Sequence, residues 1–224
     1  MFPVVRNALR VGILGAIAAG MCAPAGATIV GGTVTGGTAF AAGGTFVLLA
    51  VPLGNPLGAP NSVGNNTFQT PNLYGFDEDQ NVVAGPGALA TDTGVNPIAA
   101  GTIVASHYIF FDPGPSQHII GTVDFDSDIL AIISSTGNLA ASDYLANTGV
   151  NYLNPSARGL EPGDFVTISG PRQILFDTVA STPGDYVRVL TKFSPGAPVP
   201  EPGMGVLLAL GTAFLLRTRR RRGG

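Results

Sequence analysis

Glycine and proline interrupt this chain at short intervals, and that spacing limits its fold more than any other feature. The sequence holds 32 glycines and 18 prolines among 224 residues, close to twice the usual combined share of about 12%. Both residue types break helices and mark turns. Between them lie short runs rich in Val, Ile, Thr, Phe and Tyr, which is the pattern of short strands joined by tight turns.

Six of these runs follow an apolar run at Thr45–Val51. They are Gly101–Phe111, His118–Phe125, Ile129–Ser134, Phe165–Ser169, Gln173–Asp177 and Tyr186–Thr191. Turns rich in Pro, Gly and Asp separate most of them. The pattern predicts an all-β fold, an antiparallel β-sandwich or jelly-roll-like ectodomain. One short helix is predicted at Leu139–Ala146, with Asn138 as its N-cap.

The first 27 residues have the features of a secretory signal peptide. Arg6 and Arg10 form a basic start, Val11–Ala23 is apolar, and Ala25 and Ala27 match the A-x-A cleavage pattern. The 13-residue apolar run is short for a membrane span. We therefore predict export by the secretion machinery and cleavage by signal peptidase after Ala27.

Cys22 is the single cysteine of the chain. A disulfide within the chain and a cysteine-based zinc site are therefore excluded. The alternative of a lipidated cysteine fits less well, because Met21 precedes Cys22. With cleavage after Ala27, the mature chain contains no cysteine.

Charge is divided unevenly along the sequence. Residues 28–216 carry four basic side chains and all 14 acidic ones, while the last eight residues carry five arginines. An acidic central domain repels phosphate, so we expect no nucleic-acid partner.

The C-terminal end has three parts in a fixed order. Val199, Pro200, Glu201 and Pro202 come first, and residues 203–216 follow without a charge. The arginines at the end are Arg217, Arg219, Arg220, Arg221 and Arg222. Fourteen residues of helix span only about 21 Å of a ~30 Å hydrocarbon core, which would suit a core helix. However, the flanking arginines can snorkel, and they favour a single transmembrane helix with a cytoplasmic tail.

This arrangement resembles the PEP-CTERM sorting signal, which is found on exported proteins of Gram-negative bacteria that make extracellular polysaccharide. The resemblance covers residues 199–224. It implies recognition by exosortase, an integral membrane enzyme that cuts near the Pro-Glu-Pro motif. It also implies a precursor anchored in the inner membrane with a periplasmic ectodomain, and a mature product at the cell surface or outside the cell.

The resulting domain division is a signal peptide at 1–27, an ectodomain at 28–197 and a sorting signal at 198–224. Part of the ectodomain, residues 102–192, also resembles ectodomains of other PEP-CTERM proteins, which brings no established activity. The segments that carry this likeness are 106–113, 121–130, 141–145, 158–164 and 183–191.

Asp124, Asp126 and Asp128 are the candidate metal ligands. Alternate residues of a strand share one face, so three carboxylates could converge on calcium, which favours oxygen ligands. The glycine and glutamate of an EF-hand loop are missing, and a solvated acidic face is the alternative. The run Asp77-Glu78-Asp79 is a second acidic cluster, interpreted mainly as an exposed turn, with a calcium site as the alternative.

Evidence for catalysis in the sequence is weak. The two histidines, His107 and His118, are candidate general bases, and His107 is expected to face water or a polar neighbour. There is no G-x-S-x-G motif and no tryptophan to stack on a sugar. We therefore predict a non-catalytic surface or matrix protein without a cofactor other than calcium. The alternatives are a module that binds polysaccharide or protein, with or without calcium, and a secreted hydrolase.

Overall fold

The computed structural model describes residues 29–192, of which 43% are in strands and 10% are helical. The prediction of an all-β domain is therefore confirmed. The strands are β1 Ile29–Gly36, β2 Phe46–Leu48, β3 Ser62–Val63, β4 Leu73–Asp77, β5 Val82–Val83, β6 Thr93–Gly94, β7 Ile103–Phe111, β8 Gln117–Phe125, β9 Ile129–Ile133, β10 Asn151–Tyr152, β11 Phe165–Gly170, β12 Gln173–Ala180 and β13 Asp185–Thr191. The helices are α1 Gly37–Ala41 and α2 Thr136–Ala141, with 3-10 turns at Asp143–Leu145 and Pro155–Ala157.

Two main sheets organise these strands. The smaller has the order β1-β8-β12-β11 and is antiparallel throughout. The larger has the order β2-β4-β7-β13-β9-β6, with β5 paired to the start of β7. It is mixed, because β2 runs parallel to β4. A separate parallel pair joins β3 and β10.

One hydrophobic core lies between the two main sheets. The larger sheet contributes Leu73, Ile109, Phe111, Ile132, Val187 and Val189 to this core. The smaller sheet contributes Ile29, Val34, Ile119, Val123, Phe125, Val166, Ile174 and Phe176. Because both sheets supply one cluster, they pack face to face and exclude water from it.

A second core covers the opposite face of the larger sheet. Aromatic side chains of the sheet meet apolar residues from the long connections, including Leu53, Phe68, Leu89, Leu139 and Leu145. The central strands β7 and β13 are therefore covered on both faces, and every residue of β13 is buried. Strands covered on both faces have nearly continuous apolar sequences, which explains the composition of the segment that forms β7.

The structure corrects the predicted helix. It begins at Thr136 with Ser135 as the N-cap residue, and it breaks at Ser142 before the 3-10 turn. Asn138 is not the cap. Instead, its Nδ2 donates to Asp92, which also accepts the N–H groups of Ser134 and Ser135. A carboxylate from a distant loop therefore anchors the start of α2, which no local pattern reveals.

β1 and β4 were not predicted from the sequence. Glycines lower the proportion of β-branched and aromatic residues in β1. Gly32 nevertheless suits its position, because neighbouring groups approach its Cα closely. A Cβ at Gly32 would lie 2.6 Å from the Phe46 ring and 2.7 Å from the Thr122 carbonyl oxygen. In a strand, glycine often marks such close backbone packing.

The predicted signal peptide, sorting motif and transmembrane segment lie outside the described residues. Within residues 29–192, every helix is too short or too polar to cross a bilayer.

Candidate functional site

A buried ion pair occupies the core on the outer side of the larger sheet. Arg188, in the middle of β13, donates from Nε to Glu78 Oε2 at 2.6 Å and from Nη2 to Oε1 at 2.8 Å. Both side chains are fully buried. Arg188 also donates to Ser142 Oγ and to the Leu139 carbonyl, and Ser106 Oγ donates to Glu78. Burial lowers the pKa of Arg188, but the Glu78 carboxylate raises that pKa overall.

A second arginine extends this pair. Arg158 donates to both oxygens of Asp143, at 3.0 and 2.6 Å, and Asp143 also lies 3.4 Å from Arg188 Nη2. We call Glu78, Arg188, Asp143 and Arg158 the buried arginine network. Its two positive and two negative charges balance, and Asp143 is its one partly exposed side chain. Through these hydrogen bonds, the network holds the segment 134–160, which follows β9, against the larger sheet.

The second acidic cluster is therefore not an exposed turn, and that interpretation is wrong. Glu78 is 3% exposed and pairs with Arg188. Asp77 instead lies against His107. Burial and the charge of Glu78 raise the pKa of the third carboxyl, Asp79.

His107 lies inside the domain between two polar partners. Its Nδ1 is 2.7 Å from Asp77 Oδ1, and its Nε2 is 3.1 Å from Thr191 Oγ1. The N–H of Ile29 donates to the same Asp77 oxygen at 3.3 Å. We call Ile29, Asp77, His107 and Thr191 the terminal hydrogen-bond chain, because it joins the first described strand to the last.

The order carboxylate, imidazole, hydroxyl is also that of a hydrolase triad. Catalysis needs a hydroxyl that a substrate carbonyl can approach. His107 and Thr191 are both completely buried, so in this conformation the hydroxyl is closed to substrate. The terminal hydrogen-bond chain therefore has a structural role in the fold as described.

Thr191→Val tests that structural role. Valine keeps the shape of threonine but removes the hydroxyl beside His107 Nε2. We expect the free energy of unfolding to fall by about 1 to 3 kcal/mol, because a buried polar contact is lost. Urea unfolding measures this change, with Thr167→Val on the exposed face of β11 as the matched control. Equal effects of the two substitutions would contradict the assignment.

His118 lies far from His107. His118 is the second residue of β8, whereas His107 packs its ring on Phe125 at the other end of that strand. His118 Nε2 is 2.7 Å from Asp177 Oδ1 on β12. The side chains of His118 and Asp177 are each more than one third exposed. The structure therefore does not bring the two histidines into one site.

The three candidate calcium ligands have different surroundings. Gln173 Nε2 donates to Asp124 Oδ1 at 2.8 Å. Asp128 pairs with Arg172 at 3.2 Å and with Lys192 at 2.9 Å, and hydrogen bonds from Lys192 and Arg172 lower its pKa. Among residues 29–192, no three His, Cys, Asp or Glu side chains are grouped to hold a metal ion. Calcium binding at Asp124, Asp126 and Asp128 stays a prediction.

Two buried carboxyls were not singled out from the sequence, where they fell inside turn motifs. Burial raises the pKa of Asp112 to about 6, although the Phe68 N–H donates to it at 3.0 Å and opposes this shift. Burial raises the pKa of Asp185 to about 7, and the charges of Asp164 and Glu161 add to that rise. Asp185 pairs with Phe111, the neighbour of Asp112, so both carboxyls lie at one end of the sheet.

Because the pKa values of these two carboxyls are raised in the folded domain, we expect the free energy of unfolding to fall as pH rises from about 4 to about 7. In the unfolded chain they titrate near 3.8, but the folded domain keeps Asp112 and Asp185 protonated to higher pH. The two protonated carboxyls contribute their full stabilisation of the fold at pH values below the pKa of the unfolded chain. That contribution is lost as pH rises through the pKa values of the folded domain. At about 1.4 kcal/mol per pKa unit, the two raised pKa values correspond to a loss on the order of 7 kcal/mol, of which on the order of 4 kcal/mol falls between pH 5 and pH 8.

Urea unfolding at pH 5 and pH 8 measures the part of this loss that falls above pH 5. In a variant carrying Asp112→Asn and Asp185→Asn, the difference between the two pH values should shrink. A wild-type chain that is equally stable at both pH values would contradict the prediction.

Comparison with known proteins adds no assignment. No family model, no curated protein and no solved structure matches this chain. The residues predicted to direct sorting, Val199–Pro202 and the terminal arginines, lie beyond the described part of the chain, as do Ala25 and Ala27.

Proposed function

We propose that this chain is the precursor of an exported cell-surface or extracellular-matrix protein whose β-sandwich ectodomain is non-catalytic and is processed by exosortase. One observation carries the proposal. Val199-Pro200-Glu201-Pro202 is followed by 14 uncharged residues and then by five arginines among the last eight residues. A Pro-Glu-Pro tripeptide alone would not indicate a sorting signal. The motif, the uncharged segment and the arginines together, in this order and at this position, are specific to one.

Physical chemistry gives each part a role. Proline fixes φ and lacks an N–H, so the motif favours an extended backbone that an enzyme groove can grip. The apolar segment holds the precursor in the inner membrane until it is cut. The arginines keep the tail in the cytoplasm, and the motif then lies at the outer interface of that membrane.

The terminal hydrogen-bond chain is compatible with removal of both ends. Ile29 comes two residues after the predicted signal cleavage site, and Thr191 comes eight residues before Val199. Asp77 and His107 hold these two positions through contacts within the domain. Neither cut would remove a residue of this chain of contacts.

Expression with and without an exosortase gene tests the proposal. In cells with exosortase, an antibody against the ectodomain should detect a shortened product in the surface or medium fraction. In cells without exosortase, the longer form should stay in the membrane fraction. The same size and fraction in both strains would refute exosortase processing.

Polysaccharide binding is the second candidate function, favoured by the open face of the smaller sheet. Phe165 is 62% exposed on that face, and β12 places Asp177 directly opposite it. An exposed ring beside the polar pair His118 and Asp177 offers both stacking and hydrogen bonds to a sugar. A glycan-array screen tests this function: binding that Phe165→Ala abolishes would support it, and no binding would remove it.

A further inference from the structure

The two main sheets of residues 29–192 have four end strands, and three of these are protected against pairing with another chain. At the ends of the larger sheet, β2 and β6 are only three and two residues long. At one end of the smaller sheet, β1 is longer, but its register with β8 shifts twice. Short strands and bulges are devices by which proteins keep sheet edges from pairing with other chains.

β11, at the other end of the smaller sheet, is the exception. Its six residues, Phe165–Gly170, include no charged side chain and no proline. Its register with β12 is regular from Phe165 to Ile168 and shifts only before Gly170. Within residues 29–192, β12 is the one strand that pairs with it. The second edge of β11 therefore has backbone groups to which another strand can be added.

The charges that flank β11 have opposite signs at its two ends. Glu161 and Asp164 precede the strand, and Arg172 follows it. When two copies of a strand pair antiparallel about a two-fold axis, the beginning of each lies beside the end of the other. The acidic end of one β11 then meets the arginine of the second copy, so this edge is complementary to itself in charge.

Arg172 is able to make this contact. Its side chain is 62% exposed, and its Nε donates to Asp128 at 3.2 Å. A guanidinium has five N–H donors, so the pair with Asp128 leaves donors for a second carboxylate. Glu161 is exposed in the turn before β11 and can supply that carboxylate.

The segment that follows the described residues is the other candidate for this edge, and its sequence suits the edge poorly. Residues 193–202 contain four prolines, at positions 195, 198, 200 and 202. A proline has no N–H and cannot donate to a strand ladder. A second β11 has an N–H at every residue.

We propose that two copies of this chain pair through β11 in an antiparallel arrangement, with Thr167 at the two-fold axis. The two four-stranded sheets then form one eight-stranded sheet. Phe165, Thr167 and Ser169 are the exposed residues of β11, and Thr167 is the middle one. Pairing about Thr167 keeps these side chains on one face of the joined sheet and places two threonines opposite each other, a favourable cross-strand pair.

The dimer is expected to be weak and to depend on concentration. It joins the two copies through one pair of strands, whereas a standard interface buries about 800 Å² on each partner. This interface goes beyond the proposed export and processing, which do not depend on it.

Cysteine cross-linking of the purified full-length chain tests the proposal. Cys22→Ser removes the one native cysteine, and Thr167→Cys then places a single thiol at the proposed axis. Opposite residues of an antiparallel pair have Cα atoms about 4.5 to 5.5 Å apart, which a disulfide can span. Under mild oxidation, Thr167→Cys should form a disulfide-linked dimer at least about tenfold faster than Thr122→Cys, on the inner strand β8 of the same face.

Ser169→Cys, on the same strand, tests the register. In the proposed arrangement Ser169 lies opposite Phe165 of the second copy, so two thiols at position 169 are farther apart than two at position 167. Circular dichroism of each variant checks that the fold is kept. The proposal is overturned if Thr167→Cys is not the fastest of the three variants to cross-link, or if it forms no dimer.

Charge reversal tests the complementary ends. In the Thr167→Cys chain, Arg172→Glu should slow cross-linking at least about threefold, because it sets an acid beside Glu161 of the second copy. Adding Glu161→Arg should restore the rate, since the two signs are then exchanged. The pair between Arg172 and Asp128 is broken in both variants, so it cannot explain the recovery. An unchanged rate in Arg172→Glu, or no recovery on adding Glu161→Arg, would overturn the antiparallel arrangement.

Discussion

Replacing Arg188 with methionine is expected to lower the free energy of unfolding by about 3 to 5 kcal/mol. The substitution leaves Glu78 as a buried carboxylate without its cation, and Glu78 is 3% exposed, so water cannot take the place of the guanidinium. It also removes the donors to Ser142 and to the Leu139 carbonyl. Urea unfolding monitored by circular dichroism measures the change.

Two further variants distinguish the cost of an unpaired buried charge from the cost of losing an arginine side chain. Removing both charges with Glu78→Leu and Arg188→Met should recover part of the stability, because no unpaired charge stays buried. Arg172→Met is the matched control, since Arg172 is 62% exposed in its pair with Asp128. That control should change stability by about 0.5 kcal/mol or less. Equal losses for Arg188→Met and Arg172→Met would contradict the account of the buried arginine network.

Replacing Glu201 with alanine is expected to block processing of the precursor. Glu201 is the one charged residue between Lys192 and Arg217, and an enzyme site built to pair a carboxylate discriminates strongly against a substrate without it. We expect the processed fraction to fall by at least about tenfold. Pulse-chase labelling in cells that contain exosortase measures that fraction.

The chain contains its own control for this substitution. Glu161-Pro162-Gly163 repeats the residues of Glu201-Pro202-Gly203, but it lies in an exposed turn of the ectodomain, far along the chain from the apolar segment. Glu161→Ala should leave processing unchanged. If both variants are processed as the parent is, Glu201 has no role in recognition, and the sorting assignment loses its main support.

The strands that could be predicted are those in which composition alone identifies the element. The segments of β7, β8, β9, β11, β12 and β13 are dense in β-branched and aromatic residues, and the structure places each within a few residues of its predicted bounds. β4 was not predicted, because its segment is short and contains Gly75. A Cβ at Gly75 would lie 2.9 Å from Ile109 Cδ1, so this glycine serves packing between elements.

Pairings between distant residues could not be predicted, because no local pattern records them. Glu78 and Arg188 are 110 residues apart. One signal was present in the sequence: Arg188 stands between valines in Tyr186–Thr191, and a charge inside an apolar strand calls for a buried partner. Burial of Asp185 likewise depends on how two distant loops meet, which the turn motif at 182–185 does not reveal.

The intact mass of the mature protein from exosortase-containing cells tests the central claim most directly. Removal of both ends predicts a chain that starts at Thr28 and ends near Val199–Pro202, without the terminal arginines. In a strain that lacks exosortase, the mass should correspond to a chain that still carries Arg217–Arg222. A product that keeps those arginines in exosortase-containing cells would contradict the proposed function.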